Sequence, residues 1–68
     1  MIKLEWIEEE LSGHLKADGK RAQYWLMLDV WYYLESVTFD AAGPNWIKRG
    51  AFLSIDDAKE RAEVFDND

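Results

Sequence analysis

The sequence contains no cysteine, one proline and one histidine. Without thiols there is no disulfide, no thiolate metal site and no cysteine nucleophile. The same absence fits a reducing, cytoplasmic setting. Long apolar runs are also missing: the longest cluster, residues 24–34, is interrupted by Asp29 and falls short of the ~18 residues of a membrane span. Residues 1–10 mix apolar side chains with four glutamates, so neither the basic leader nor the apolar core of a signal peptide is expected there.

The scarcity of histidine restricts the chemistry. A nucleophilic triad needs a base, a group to orient it and a nucleophile beside it. Here Ser12 stands two residues from His14, and a solvated surface histidine is the simpler reading. Glu8, Glu9 and Glu10 are adjacent. Their side chains diverge on any regular backbone, and no calcium-type loop with its glycine is present. Gly43-Pro44-Asn45 and Lys48-Arg49-Gly50 do not match a phosphate-cradling loop. The expectation is a protein that is not an enzyme and uses no metal or cofactor.

What is present is aromatic. Tryptophan, tyrosine and phenylalanine make up 15% of the 68 residues, with four tryptophans. Disordered chains are depleted in such residues, so a single small folded domain over 1–68 is expected, stabilised mainly by large rings. The net charge is −6. It gathers at both ends, in Glu5 and Glu8 to Glu10 and again in Asp56, Asp57, Glu60, Glu63, Asp66 and Asp68, while the middle is close to neutral. An acidic whole repels nucleic acid and anionic membranes at long range and favours solubility.

The clearest local signal lies near the C-terminus. Ser54 is a good N-cap, with Asp57 three residues on. Ile55, Ala58, Ala62 and Phe65 recur on one helical face. A helix over about 55–65 is expected, with 66–68 frayed. Asp18-Gly19 reads as a two-residue hairpin turn, pairing Ala17 with Lys20. That register places Leu15, Ala17, Ala22, Tyr24, Leu26 and Leu28 on one face, and His14, Lys16, Arg21, Gln23, Trp25 and Met27 on the other. Residues 31–39 read as a further strand, reached through a weakly marked turn near Asp29-Val30. Asp40 to Asn45 reads as a loop. At the N-terminus Ile2, Leu4 and Trp6 alternate as a strand would, although Leu4, Ile7 and Leu11 would also line one face of a short helix. The expected fold is α+β: three or four antiparallel strands with one C-terminal helix packed on one face.

One helix covers one face of a sheet. The other face would carry Trp25 and Met27, joined across the next turn by Trp31 and Tyr33, or by Tyr32 and Leu34. Large contiguous apolar patches on monomers mark interaction sites, and Trp, Tyr and Met are enriched at interfaces. Trp25, Met27, Trp31 and Tyr33 are therefore the expected protein-contact residues, toward another protein or a second copy. The competing reading folds the N-terminal strand and Trp46 over them as core. A second constellation, His14, Lys16 and Arg21 beside Trp25, could track a nucleic-acid backbone and stack a base, against the acidity of the whole. Asp56, Glu60 and Glu63 recur along one helix face and could imitate phosphates, although a solvated face explains them as well.

Leu4-Glu5-Trp6, His14-Leu-Lys-Ala17, Gly19, Tyr24, Tyr33-Leu34 and Gly50-Ala-Phe-Leu-Ser-Ile-Asp-Asp-Ala-Lys-Glu-Arg-Ala-Glu63 together resemble small phage, prophage and bacterial proteins. These combine a short antiparallel sheet with a Ser-capped helix. The resemblance spans most of the chain, and its motifs are structural. The glycine turn usual between the last two strands of such proteins is missing here. The resemblance implies a phage-type accessory protein in the cytoplasm of a bacterial or infected cell, acting on a host machine by direct contact. Inhibition of a nucleic-acid-processing complex, as an anti-CRISPR-like protein or a DNA mimic, is a further alternative. The likeness carries no catalytic residues to transfer.

Overall fold

The computed structural model describes residues 3–67. Five strands follow one another: β1 (Ile7–Glu8), β2 (Leu15–Asp18), β3 (Gln23–Leu28), β4 (Tyr32–Asp40) and β5 (Gly43–Phe52). Helix α1 (Ile55–Asn67) follows them. The strands form one antiparallel sheet in the order of the chain. The architecture is the expected α+β with one C-terminal helix, but the sheet has five strands rather than three or four.

The additional strands are those with weak sequence signals. β1 is two residues long. β5 contains two glycines, a proline, a lysine and an arginine among its ten residues, all poor strand formers or neutral at best. It lies at the sheet edge, where Pro44 can be accommodated because a missing N–H need not interrupt a ladder. The expected loop from Asp40 to Asn45 shrinks to a turn at Ala41-Ala42, with Asp40 paired to Gly43. Asp40 closes it by accepting hydrogen bonds from the Asn45 side chain (2.8 Å) and the Ala42 N–H (2.8 Å). Those bonds hold its carboxyl below the usual range.

The first full hairpin departs from its expected register. Ala17 pairs with Tyr24, Lys16 with Trp25 and Leu15 with Leu26, so Lys20-Arg21, not Asp18-Gly19, forms the tip. The slip is four residues along β3. Because side chains alternate with period two, an even slip leaves every residue on its expected face. Leu15, Ala17, Tyr24 and Leu26 do face the helix and belong to or border the core.

A carboxylate explains the turn. Asp66, 2% exposed, accepts hydrogen bonds from the N–H of Arg21 (2.8 Å) and of Lys20 (3.1 Å), and from the Tyr24 hydroxyl (3.3 Å). Burial pushes its carboxyl up. The bonds from Arg21, Lys20 and Tyr24, with the Lys20 charge, outweigh burial and leave it below the usual value. Burial first, then the charge and hydrogen bond of Asp66, push the Tyr24 phenol up to about 12. Gly19 serves this clasp: a Cβ there would run into the Asp66 carboxylate and lie 2.8 Å from the Tyr24 ring. The helix therefore does not fray after Phe65. It continues to Asn67, anchored by Asp66.

The helix otherwise follows expectation. Ser54 caps it, its hydroxyl accepting from the Asp57 N–H at 3.4 Å. Ala58 and Ala62 are fully buried, and Ile55 and Phe65 flank them against Tyr24, Leu26 and Leu34. The N-terminal segment joins the same side. Leu4 is buried and Trp6 packs against the core. Residues 3–6 are not part of the sheet, and β1 begins only at Ile7. Ile2, the first residue of the expected strand, lies outside the described residues. The helical alternative does not hold, since Ile7 is 59% and Leu11 97% exposed.

Between β4 and β5 the register shifts. Leu34 pairs with Gly50 and Glu35 with Lys48, leaving Arg49 as the extra residue of a β-bulge. Gly50 adopts φ +146° there, a conformation open to glycine. Arg49 turns toward the helix. Its Nε donates to the buried Ser36 hydroxyl (2.9 Å), and its guanidinium lies 4.9 Å from the Phe65 ring centroid.

Candidate binding face

The face of the sheet away from the helix carries rows of cross-strand neighbours, three of which form its centre, with Phe39 and Pro44 a further pair toward the β4–β5 turn and Ile7 beside Lys16 at the β1 edge. Asp18, Gln23, Val37 and Trp46 form one. Lys16, Trp25, Glu35 and Lys48 form the next. Met27, Tyr33 and Ala51 form the third. The β3–β4 register decides between the two expected alternatives: Tyr33 stands beside Met27 on this outer face, while Tyr32 and Leu34 face the helix. Trp31 is in the loop between β3 and β4, 43% exposed, at the end of the hairpin rather than in a row.

Local contacts hold the aromatic side chains in place. Trp25 Nε1 donates to Gln23 Oε1 (2.9 Å), and Gln23 Nε2 donates to Asp18 Oδ1 (2.8 Å). The Trp25 and Trp46 rings are 6.2 Å apart and tilted by 54°, a favourable aromatic arrangement. Lys16 Nζ lies 5.7 Å from the Trp25 ring centroid, within cation–π range, and 4.0 Å from Glu9 Oε2. Val37, 1% exposed, is buried in the row between Gln23 and Trp46. Trp46 was expected as a lid in the competing reading. It does shelter Val37, but it is itself 51% exposed, and Tyr33 is 43% exposed. The N-terminal segment packs on the helix side and leaves this face open.

Beside the tryptophans lies a shallow depression of about 410 Å³, bordered by Met27, Tyr33, Glu35, Lys48, Gly50 and Ala51. It lies where the bulge displaces β5 and Ala51, opposite Tyr33, offers little side-chain bulk. An apolar side chain fits such a hollow, with the opposite charges of Glu35 and Lys48 on its rim. From the sequence Trp46 was read only as a cover for this face, and Lys48 and the hollow were not read as part of it, because their strand was not recognised.

The other candidates are dispersed. Lys16 and Trp25 are cross-strand partners. Arg21 is at the tip of the β2–β3 turn, with its N–H held by Asp66. His14 precedes the opposite end of β2, its N–H donating to Ser12 Oγ (3.3 Å). The four do not form the single basic-aromatic cluster that the expected register assembled. Among the acids, Asp56 and Glu60 are exposed. Glu63 is partly buried and accepts from the Leu4 N–H (3.2 Å), fastening the N-terminal segment. It is therefore not part of a free acidic face.

Among the described residues no three His, Asp or Glu side chains converge as metal ligands, and no helix is long and apolar enough to cross a membrane. No family model, curated protein or solved structure matches this chain.

Proposed function

We propose that the protein is a non-catalytic binding protein whose outer sheet face engages another protein. The observation that carries this reading is the exposure of Trp46 and Tyr33 beside Trp25 and Met27, on the side of the sheet that the helix leaves open. Hydrophobic burial supplies most of the affinity at such faces, and aromatic residues near the centre of a patch commonly dominate it. The Glu35–Lys48 pair would set orientation. Resemblance to small phage and prophage proteins supports an accessory role in which a host protein is bound and redirected.

The test uses immobilised protein and host lysate, with Trp46→Glu and Tyr33→Asp as face variants and Glu60→Lys as a helix-side control. Circular dichroism verifies folding of each. The reading expects a defined partner captured by the wild type and by the Glu60 variant, and lost from both face variants. Capture that survives both face substitutions, or is lost only on the helix side, would overturn it. So would retention of single-stranded oligonucleotide, weakening steeply with salt, with no protein partner at all.

A further inference from the structure

The sheet has two edges of different character. β1 is two residues long, ends in Glu8 and is followed by Glu9 and Glu10, and shortness and charge both discourage pairing. β5 is ten residues long, and among the described residues no strand lies beyond it. Backbone groups alternate between the ladder and the open side of an edge strand. Counting from the Asp40–Gly43 pair that closes the two-residue turn, Gly43, Asn45 and Ile47 point their N–H and C=O groups to β4. Pro44, Trp46 and Lys48 present theirs to the open edge, and Pro44 has no N–H to offer. The bulge at Arg49 ends the regular stretch.

We propose that this edge pairs antiparallel with β5 of a second copy, about a two-fold axis at Ile47. Trp46 then exchanges two backbone hydrogen bonds with Lys48 of the second copy, and the symmetric pair exchanges two more. All outward groups of these four residues are satisfied. The side chains agree with this register. On the outer face each Lys48 meets a Trp46 ring, repeating the Lys16–Trp25 cross-strand pair, which places ammonium and ring 5.7 Å apart within one chain. On the helix side Ile47, 47% exposed, meets its own copy. Placing Trp46 opposite Trp46 instead would set Lys48 against Pro44 and leave the Lys48 carbonyls without a donor. Placing Lys48 opposite Lys48 would oppose like charges. The contact is self-complementary and closes at two copies. It makes one continuous ten-stranded sheet whose outer face is double that of a single chain. It uses the backbone edge and shares only Trp46 and Lys48 with the face proposed above, so Tyr33→Asp, away from the edge, tests the face alone and Ile47→Lys, on the helix side, tests the edge alone.

The absence of cysteine makes the register testable. At a non-hydrogen-bonded antiparallel pair the Cα atoms are about 4.5 Å apart, within disulfide range. Ile47→Cys should therefore oxidise to a covalent dimer. Asn45→Cys is the control: its two copies would stand ~14 Å apart at about 3.4 Å per residue, too far to bridge. Light scattering on a sizing column completes the test. The wild type should double from its 8.0 kDa chain mass, and Ile47→Lys, with unchanged circular dichroism, should be monomeric. A wild type that stays monomeric up to millimolar concentration overturns the proposal. So does a dimer that survives Ile47→Lys, or that is lost in Trp25→Glu while Ile47→Lys retains it. If Ile47→Lys does not fold, the cysteine pair decides: equal cross-linking at positions 45 and 47, or none at 47, rejects the register.

Discussion

Replacing Asp66 with alanine tests whether one carboxylate near the C-terminus organises the first hairpin. The substitution removes hydrogen bonds from the N–H groups of Lys20 and Arg21 and from the Tyr24 hydroxyl. Bonds to a charged acceptor contribute about 1.5–3 kcal/mol each, but Lys20 and Arg21 are exposed and water can replace part of what their N–H groups lose. Tyr24 is 2% exposed, and stranding its hydroxyl costs about 1–3 kcal/mol. The sum is about 3 kcal/mol. A domain of this length has a total stability of about 3–10 kcal/mol, so the variant should lose a large share of it. At 4–8 °C per kcal/mol for small domains, the melting temperature should fall by more than about 10 °C. Thermal denaturation followed by far-ultraviolet circular dichroism, with tryptophan fluorescence as a second probe, measures this. Glu60→Ala, at an exposed helix position, should stay within about 0.5 kcal/mol of wild type. An Asp66→Ala protein that melts with the Glu60 control would refute the clasp as the anchor of the helix end.

Gly19→Ala should destabilise strongly in the wild type, because its Cβ meets the Asp66 carboxylate and the Tyr24 ring. In the Asp66→Ala background the penalty should shrink, and a double-mutant cycle that proves additive counts against the contact. Denaturation midpoints against pH should show two limbs. The Asp66 carboxyl is lowered by folding, so its contribution is present above the ordinary aspartate range and lost as pH falls through the lower folded value. Tyr24 is raised from 10.0 to about 12, so its contribution is present below pH 10.0 and lost as pH climbs toward about 12. Tyr24→Phe should remove that alkaline component, and an unchanged alkaline limb in the variant would contradict the assignment. Arg49→Ala should cost about 1–2 kcal/mol through the lost Ser36 bond and Phe65 stacking, as read by urea denaturation. Arg49→Lys should restore little of it, because a lysine cannot reproduce the planar stack. Leu26→Ala, at a site with no exposed surface, should cost about 2–5 kcal/mol, and a loss below 1 kcal/mol would place the core elsewhere.

Periodicity and capping chemistry are local, and they were legible. The Ser54 cap, the stripe of Ile55, Ala58, Ala62 and Phe65, and the alternation that assigns Leu15, Ala17, Tyr24 and Leu26 to one face and Trp25 and Met27 to the other depend on residues close in the chain. The face assignment stands although the hairpin register slipped, because it depends only on parity. Three features needed the tertiary structure. The tip at Lys20-Arg21 and the helix end both depend on Asp66, which lies more than forty positions from the turn it holds. The Asp18-Gly19 signal was strong because glycine is required there, but for close approach of that carboxylate and not for positive φ. Only Gly43 to Asn45 of β5 read as part of a loop, and the rest of the strand gave no signal because its composition is poor for strands. Pairing with β4 and packing of α1 against its inner side recruit it. Its recognition brings Trp46, Lys48 and the hollow above Gly50 onto the open face, and exposes the edge at which a second copy can pair. The chain by itself determined which side chains share a face; contacts between distant segments decided where the strands turn, where the sheet stops and where the helix ends.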